Sequence, residues 1–408
     1  MNRVVVTGMA GITSLGSDWP SIEANFKAGK SGIRRMDEWD CYNELNTRLG
    51  GPVDSFTQPK HWSRKQVRSM GRVSKLAVAA AEKALEHAGL LGDPRIQDGR
   101  MGVACGSSTG STDEVKAFGN MLLNCVADGL NANSYIRMMP HTTAANISIF
   151  FGLKGRLIPT SSACTSGSQG IGYAYEAIKF GRLKMMLAGG AEELCATEAM
   201  VFDALYATSL KNSTPHLSPR PYDTERDGLV IGEGAGILVL EELEHALERG
   251  AKIYAEIVGF GCNADGVHAT KPVQETMRGA MELALEDAGL TPSEIGYVNG
   301  HGTATAQGDV AETHATHSLF GPDMPISSQK SYFGHTLGAC GALESWFSIE
   351  MLNADSYVPT LNLTQVDPQC AELDYLRGEF RSLHNEYVMN NNFAFGGVNT
   401  SLIFKRWS

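Results

Sequence analysis

Residues 81–90 read AEKALEHAGL, and residues 281–290 read MELALEDAGL. Seven of the ten positions agree across a spacing of 200. Each segment carries apolar residues at helical spacing and stops at a glycine, as a helix with a left-handed C-terminal cap does. A short loop, an apolar strand and a turn of small residues follow each copy, as MGVACGSSTGS (101–111) and IGYVNGHGTATAQG (295–308). A strand precedes each, VVVTGMA near residue 4 and IYAEIVGFG near residue 253. Equivalent units in equivalent places predict a duplicated α/β fold, each half with its own sheet. No Pro/Ser-rich linker interrupts the chain, so the halves pack as one body, residues 1–250 and 251–408, meeting near ERGAK.

At 408 residues the chain exceeds what one hydrophobic core usually serves, which agrees with two halves. Charged residues are 19% and the formal net charge is −11, which argues against a general nucleic-acid binder. No run of eighteen apolar residues exists, so no membrane span is expected, and the N-terminal apolar run is too short for a signal segment. The eight cysteines are scattered without a CxxC pair, so neither a zinc site nor a disulfide framework is indicated. A cytoplasmic protein is expected.

Cys164 stands in PTSSACTSGSQGIGYAYEAIKFG, an extended stretch running through small residues into an amphipathic helix. That places its sulfur at a strand-to-helix turn, where unpaired N–H groups favour thiolate. Small neighbours leave room for a substrate, as at a nucleophile elbow. The second half supplies partners for such a nucleophile. His301 lies in NGHGTATAQGD just after an apolar strand, and His335 lies five residues beyond Lys330 in SSQKSYFGHTLGACGALES. Each histidine is flanked by glycine or small residues at a strand end, where loops carry function on a rigid scaffold.

Together, ACTSG at Cys164, HGTATxxGD at His301 and SxKSxxGHTxGACG from Ser328 to Gly341 resemble β-ketoacyl-acyl-carrier-protein synthases of the I/II type. RDGLVIGEGAG (226–236) and NNFAFGGVNTSLIF (391–404) extend the resemblance over the whole chain, in family order. It implies a thiolase-like fold of two βαβαβαββ halves in α-β-α-β-α layers. It implies an acyltransferase that condenses a Cys164-bound acyl chain with a malonyl thioester, losing carbon dioxide. His301 and His335 would donate to the thioester oxygen, Lys330 would support them, and the backbone N–H groups of Cys164 and Phe395 would form an oxyanion hole. Phe393 and Phe395 match an aromatic pair, the second a gate, while Thr109 falls where the acyl pocket is lined. Thr270, Thr303 and Thr305 match pantetheine-binding positions. Glu344 looks structural and is expected with Asn391 near a monovalent cation. The resemblance further implies a homodimer, with a heterodimer open, no metal, and no free organic cofactor, since pantetheine arrives on the carrier protein.

Arg64, Lys65, Arg68 and Arg72 lie in QPKHWSRKQVRSMGRVSK (58–75), which has no acid. Arg64, Arg68 and Arg72 recur every four residues and should share a helix face, a docking surface for an acidic carrier protein. HATH (314–317) has no third ligand nearby and reads as a helix surface. ANSYIRMMPHTTAANISIFFG (132–152) is apolar enough for an interface, an acyl pocket or the core. Ala304, Val398 and Thr109 depart from the commonest family pattern and leave fatty-acid and polyene or polyketide substrates both open. A thiolase and a non-catalytic chain-length-factor-like subunit are the competing readings; the two histidines with Lys330 weigh against the first, and Cys164 against the second.

Overall fold

The computed structural model describes all 408 residues, Met1–Ser408. Its first half runs β1 (Val4–Ile12), α1 (Arg72–His87), β2 (Met101–Gly106), α2 (Thr142–Phe151), β3 (Leu157–Thr160), α3 (Ser166–Lys179) and β4 (Met185–Glu192). After α4 (Ala196–Asp203) it closes with β5 (Gly234–Glu242). The second half repeats the order with β6 (Ala255–Ala264), α5 (Gln274–Ala288), β7 (Ile295–Asn299), α6 (Ala306–Phe320), β8 (Pro325–Ser327) and α7 (Cys340–Ala354). A two-residue edge strand, β9 (Asp374–Tyr375), precedes β10 (Tyr387–Ala394) and β11 (Val398–Arg406). The repeated helices are α1 and α5. Beyond each, Gly89 and Gly289 take φ of +66° and +68°, the left-handed conformation that ends a helix without a Cβ penalty.

The sheet order is β9-β8-β7-β10-β11-β6-β1-β5-β4-β2-β3. Without the β9 edge it reads as two copies of one order placed back to back. β2 lies parallel to β3 and β4, as β7 does to β8 and β10. β5 is antiparallel to β4 and β1, as β11 is to β10 and β6. The expectation of two separate sheets is corrected here. β1 pairs antiparallel with β6 from Val4↔Ile257 to Val6↔Ala255, so edge strands with free N–H and C=O groups satisfy each other.

Alternation along the strands sorts the core into layers. Leu238 and Leu240 of β5 face α3 and α7 in a central cluster with Ile171, Leu343 and Trp346. Ile237 and Val239 face the other way, onto Leu76, Ala80 and Ala84 of α1. In the second half Met389 and Ile403 meet Met277, Met281 and Ala284 of α5. The layers are therefore α1, sheet, α3 with α7, sheet, α5, and the buried central helix pair comes one from each half. No helix is long and apolar enough to cross a membrane.

Candidate active site

Duplication places two strand-to-helix elbows face to face. In the first, Ala163 takes φ +51° ahead of a 3₁₀ turn, Ala163–Thr165, and α3 begins at Ser166. In the second, Leu337 takes φ +44° ahead of the turn Leu337–Ala339 and α7 begins at Cys340. Positive φ at a non-glycine residue is strain, tolerated where the surroundings enforce it. The first elbow presents Cys164 and the second follows His335, whose Nε2 is 2.9 Å from Cys164 Sγ. His301 comes from the loop after β7, its ring 5.1 Å from that of His335 and nearly perpendicular. The three donor atoms lie within 4.8 Å of one another.

The Leu337 N–H donates to His335 Nδ1 at 3.3 Å. A neutral imidazole whose Nδ1 accepts must carry its proton on Nε2, so Nε2–H points at the sulfur. Both rings are neutral. Burial first, and then the Lys330 ammonium, hold His301 and His335 well below the usual histidine range. Lys330 itself stays charged; burial opposes this, but Glu344 at 2.5 Å raises its pKa. Only 1% of either side chain is exposed.

Thiolate was expected to be favoured at Cys164. Burial instead pushes the thiol up to about 12, with Lys330 and the backbone N–H groups of Phe395 and Cys164 pulling the other way. These N–H groups favour the thiolate, but the sulfur is too far from water for them to prevail.

A cavity of about 380 Å³ leads to this centre. Its lining runs from exposed Thr270, through Thr305 and Thr303, to buried His301, His335 and Cys164. Thr303 and Thr305 hydroxyls are 3.0 Å apart. Phe393 sits edge-on to His301 at 6.1 Å, while half-buried Phe395 stacks on Phe202 at 5.0 Å. Gly396 and Gly397, with φ of +87° and +71°, turn the chain directly after Phe395. Thr109 does not line this cavity; its hydroxyl is bonded to Glu198 of α4.

These features match a known family. The sequence profile of the β-ketoacyl synthase N-terminal domain matches residues 1–246, and that of the C-terminal domain matches residues 254–364. The chain belongs to the β-ketoacyl synthase family. It is a condensing acyltransferase. A β-ketoacyl synthase from Burkholderia phymatum STM815 is 62% identical with a TM-score of 0.99, each chain fully covered. The 3-oxoacyl-[acyl-carrier-protein] synthase 2 of Vibrio harveyi is 39% identical over 99% of this chain and 98% of that one. A ketosynthase of a type II polyketide system, solved in complex with its acyl-carrier protein and bound to a hexaketide, is 30% identical with a TM-score of 0.87, both chains fully covered.

Two predicted placements need correction. Asn391 does not accompany Glu344. Alternation along β10 turns Asn391 toward Met281 of α5, whereas Asn392 donates to Glu344 Oε2 at 2.8 Å. The buried cation beside Glu344 is the Lys330 ammonium. The four basic residues also do not share one helix. A single turn, Arg64–Val67, ends at Arg68, and α1 starts anew at Arg72 with Gly71 as its N-cap. A Cβ at Gly71 would sit 2.1 Å from Ser111 Oγ, which instead accepts from the Arg72 N–H. The Arg72 guanidinium is held by buried Glu233 and by the Val53 carbonyl. Arg64, Lys65 and Arg68 remain exposed. In HATH, His314 and His317 donate to the carbonyls of Gln369 and Glu372, tying α6 to the segment that leads into β9.

Sequence reasoning missed the acids beneath the His301 loop. Glu312 accepts from the His301 and Gly302 N–H groups at 2.5 and 2.7 Å. Asp309 accepts from Thr303 and Ala304, both at 3.1 Å, and from Tyr222 at 2.7 Å. Burial pushes Glu312 up to about 7 and Asp309 up to about 6, against these same N–H bonds and, for Asp309, against Arg226. The available signal was acid spacing of three in the first turns of a helix that follows HGTAT directly.

Proposed function

We propose that this condensing enzyme extends an acyl chain held as a thioester on Cys164 with a malonyl unit delivered by an acyl carrier protein. The observation that carries the reading is the pair of neutral imidazoles beside the sulfur, with His335 Nε2–H fixed as a donor. In the first step Cys164 Sγ attacks the acyl thioester carbonyl and the pantetheine sulfur leaves, taking the proton that the cysteine gives up. The Cys164 and Phe395 N–H groups hold the developing oxyanion. The malonyl thioester then loses carbon dioxide, and its electron pair passes to an enolate whose oxygen receives N–H bonds from His301 and His335. The enolate carbon attacks the acyl carbonyl, and Cys164 thiolate departs.

Lys330 has a positioning and electrostatic role. Its charge adds to burial in keeping both rings from protonating, so they remain donors without becoming cations that would bind the malonyl carboxylate and oppose its loss. Thr270, Thr303 and Thr305, graded along the cavity, suit the pantetheine arm, and no free organic cofactor is required. Phe395 acts as the gate, and Phe393 packs beside His301. Cys340 gives no support to thiolase chemistry, because its thiol donates to the Cys164 carbonyl and lies outside the cavity lining.

Arg64, Lys65 and Arg68 form the proposed carrier-docking surface, without Arg72. A homodimer is supported by exposed apolar side chains on the edge strand β3 and the adjoining α2, among them Leu157 and Ile149. Residues 1–250 and 251–408 are proposed as the two halves, and a reducing cytoplasm would keep Cys164 a free thiol.

The test is intact-protein mass spectrometry after incubation with acyl-carrier thioesters, comparing wild type with Cys164→Ala. An acyl adduct on wild type alone is expected. A folded wild type that accepts no acyl group from any donor would overturn the reading.

A further inference from the structure

The mechanism above leaves two buried carboxyls unused. Glu192 ends β4 and Glu198 lies in the first turn of α4. Glu192 is fully engaged. Its Oε1 accepts from Ser107 Oγ at 2.6 Å, and its Oε2 from Ser108 N at 2.7 Å, Ser108 Oγ at 2.5 Å and Gly338 N at 3.0 Å. Glu198 is only 3% exposed, has one contact, Thr109 Oγ1 at 2.7 Å from Oε1, and leaves Oε2 with no partner. Thr109 Oγ1 is also 3.3 Å from Glu192 Oε1.

Two adjacent carboxyls this deep cannot both ionise. Glu192, with four donors, takes the charge. Burial and then the neighbouring Glu192 raise Glu198 well above the usual range, so it keeps its proton. Thr109 has one hydrogen for two acids, and no basic side chain bonds to Glu198. A protonated carboxyl with a free oxygen is both a donor and an acceptor, and burying it half-satisfied is unfavourable unless something else completes it.

Its location says what that is. Phe202 lies four residues on, over the same face of α4, and stacks on Phe395 while lining the Cys164 cavity. Ala199, Phe202, Leu337 and Cys164 belong to one apolar cluster. Glu192, the neighbour of Glu198, is close enough to raise the Cys164 pKa. Glu198 therefore stands one helical turn behind the aromatic pair, where a chain on Cys164 would pass once Phe395 swings aside.

We propose that Glu198, oriented by Thr109, is a specificity-determining residue that hydrogen-bonds a hydroxyl group carried on the acyl chain. The inference rests on the reading that Cys164 holds that chain. It makes the enzyme selective for hydroxyl-bearing acyl thioesters over plain alkyl chains of equal length. Anionic chain ends are disfavoured by ionised Glu192, and an ammonium-bearing chain would be recognised differently, by transferring the Glu198 proton.

The experiment is competitive loading of full-length enzyme with matched ω-hydroxyacyl, ω-aminoacyl and alkyl carrier thioesters, read by intact mass. Wild type, Glu198→Gln, Glu198→Leu and Thr109→Val are compared, with thermal melting of each. Wild type should prefer the hydroxyacyl chain about tenfold or more. Glu198→Leu should reverse the preference and melt no lower than wild type, since it removes an unsatisfied polar atom. Glu198→Gln should retain most of the preference, and Thr109→Val should weaken it. Equal loading of hydroxyacyl and alkyl chains by wild type would overturn the inference and leave the condensing reading intact. So would an unchanged ratio in Glu198→Leu, or a preference for the aminoacyl chain. Failure of every chain to load on wild type would overturn both.

Discussion

Replacing Glu344 by glutamine should destabilise the enzyme far more than its uncharged chemistry suggests. The carboxylate is 2.5 Å from the Lys330 ammonium, and each side chain is 1% exposed. Glutamine keeps the size and can still meet Asn392, so the perturbation is the loss of one charge. Lys330 is then a buried cation with no bonded acid. Breaking one side of a buried pair costs about 3–5 kcal/mol. Unfolding entropy of roughly 2 cal/mol/K per residue, over 408 residues, converts this to a fall in Tm of about 4–6 °C. Lys330→Met alone should fall similarly, by leaving Glu344 unpaired. The double variant Lys330→Met/Glu344→Leu removes both charges and should return to within about 1–2 kcal/mol of wild type. It should nevertheless condense more slowly, because burial alone, without the Lys330 charge, then holds His301 and His335 neutral. Calorimetric melts of all four proteins, with condensation rates alongside, test this. Single losses that simply add in the double variant would refute the coupling. Full activity in the double variant would refute the electrostatic role of Lys330.

Glu312, raised to about 7 against an ordinary 4.5, contributes stability that is present below pH 4.5 and lost as pH rises through 7. The Tm of wild type minus that of Glu312→Gln should therefore decline over that window, and a difference that grows with pH would contradict burial as the main cause. Alkylation of Cys164 by iodoacetamide should keep accelerating to pH 9 and beyond, because its thiol is held up near 12; a plateau near pH 7 would show a thiolate already formed. Exchanging Arg64 and Arg68 for glutamate should raise the KM for carrier-bound substrate about tenfold with kcat kept, in steady-state assays. Arg72→Ala should instead lower Tm, since it leaves buried Glu233 without its guanidinium.

Local chemistry made much of this protein legible in one dimension. Helical spacing, the terminal glycines and period-two strands are properties of short segments, so the repeat at a spacing of 200 already implied two α/β halves. Cys164, His301, Lys330 and His335 stood out because their neighbours are small and the strands before them are apolar. The basic residues at 64–72 show the limit of such spacing. A regular interval of four held across a break in the helix, because the Gly71–Ser111 contact is tertiary.

What the fold alone decided depends on which face a residue shows and what water can reach. Register along β10 assigned Asn392, rather than Asn391, to Glu344. Docking of two strained elbows brought His335 Nε2 to the Cys164 sulfur, and one backbone N–H chose its tautomer. Burial overrode the Lys330 charge and the neighbouring N–H groups and raised the thiol. It also turned Glu312 and Asp309 into supports for the His301 loop, and left Glu198 with an unmatched oxygen behind the gate. Desolvation and pairing depend on atoms brought together from distant parts of the chain, and for that reason the sequence named the chemistry while the tertiary structure set its protonation.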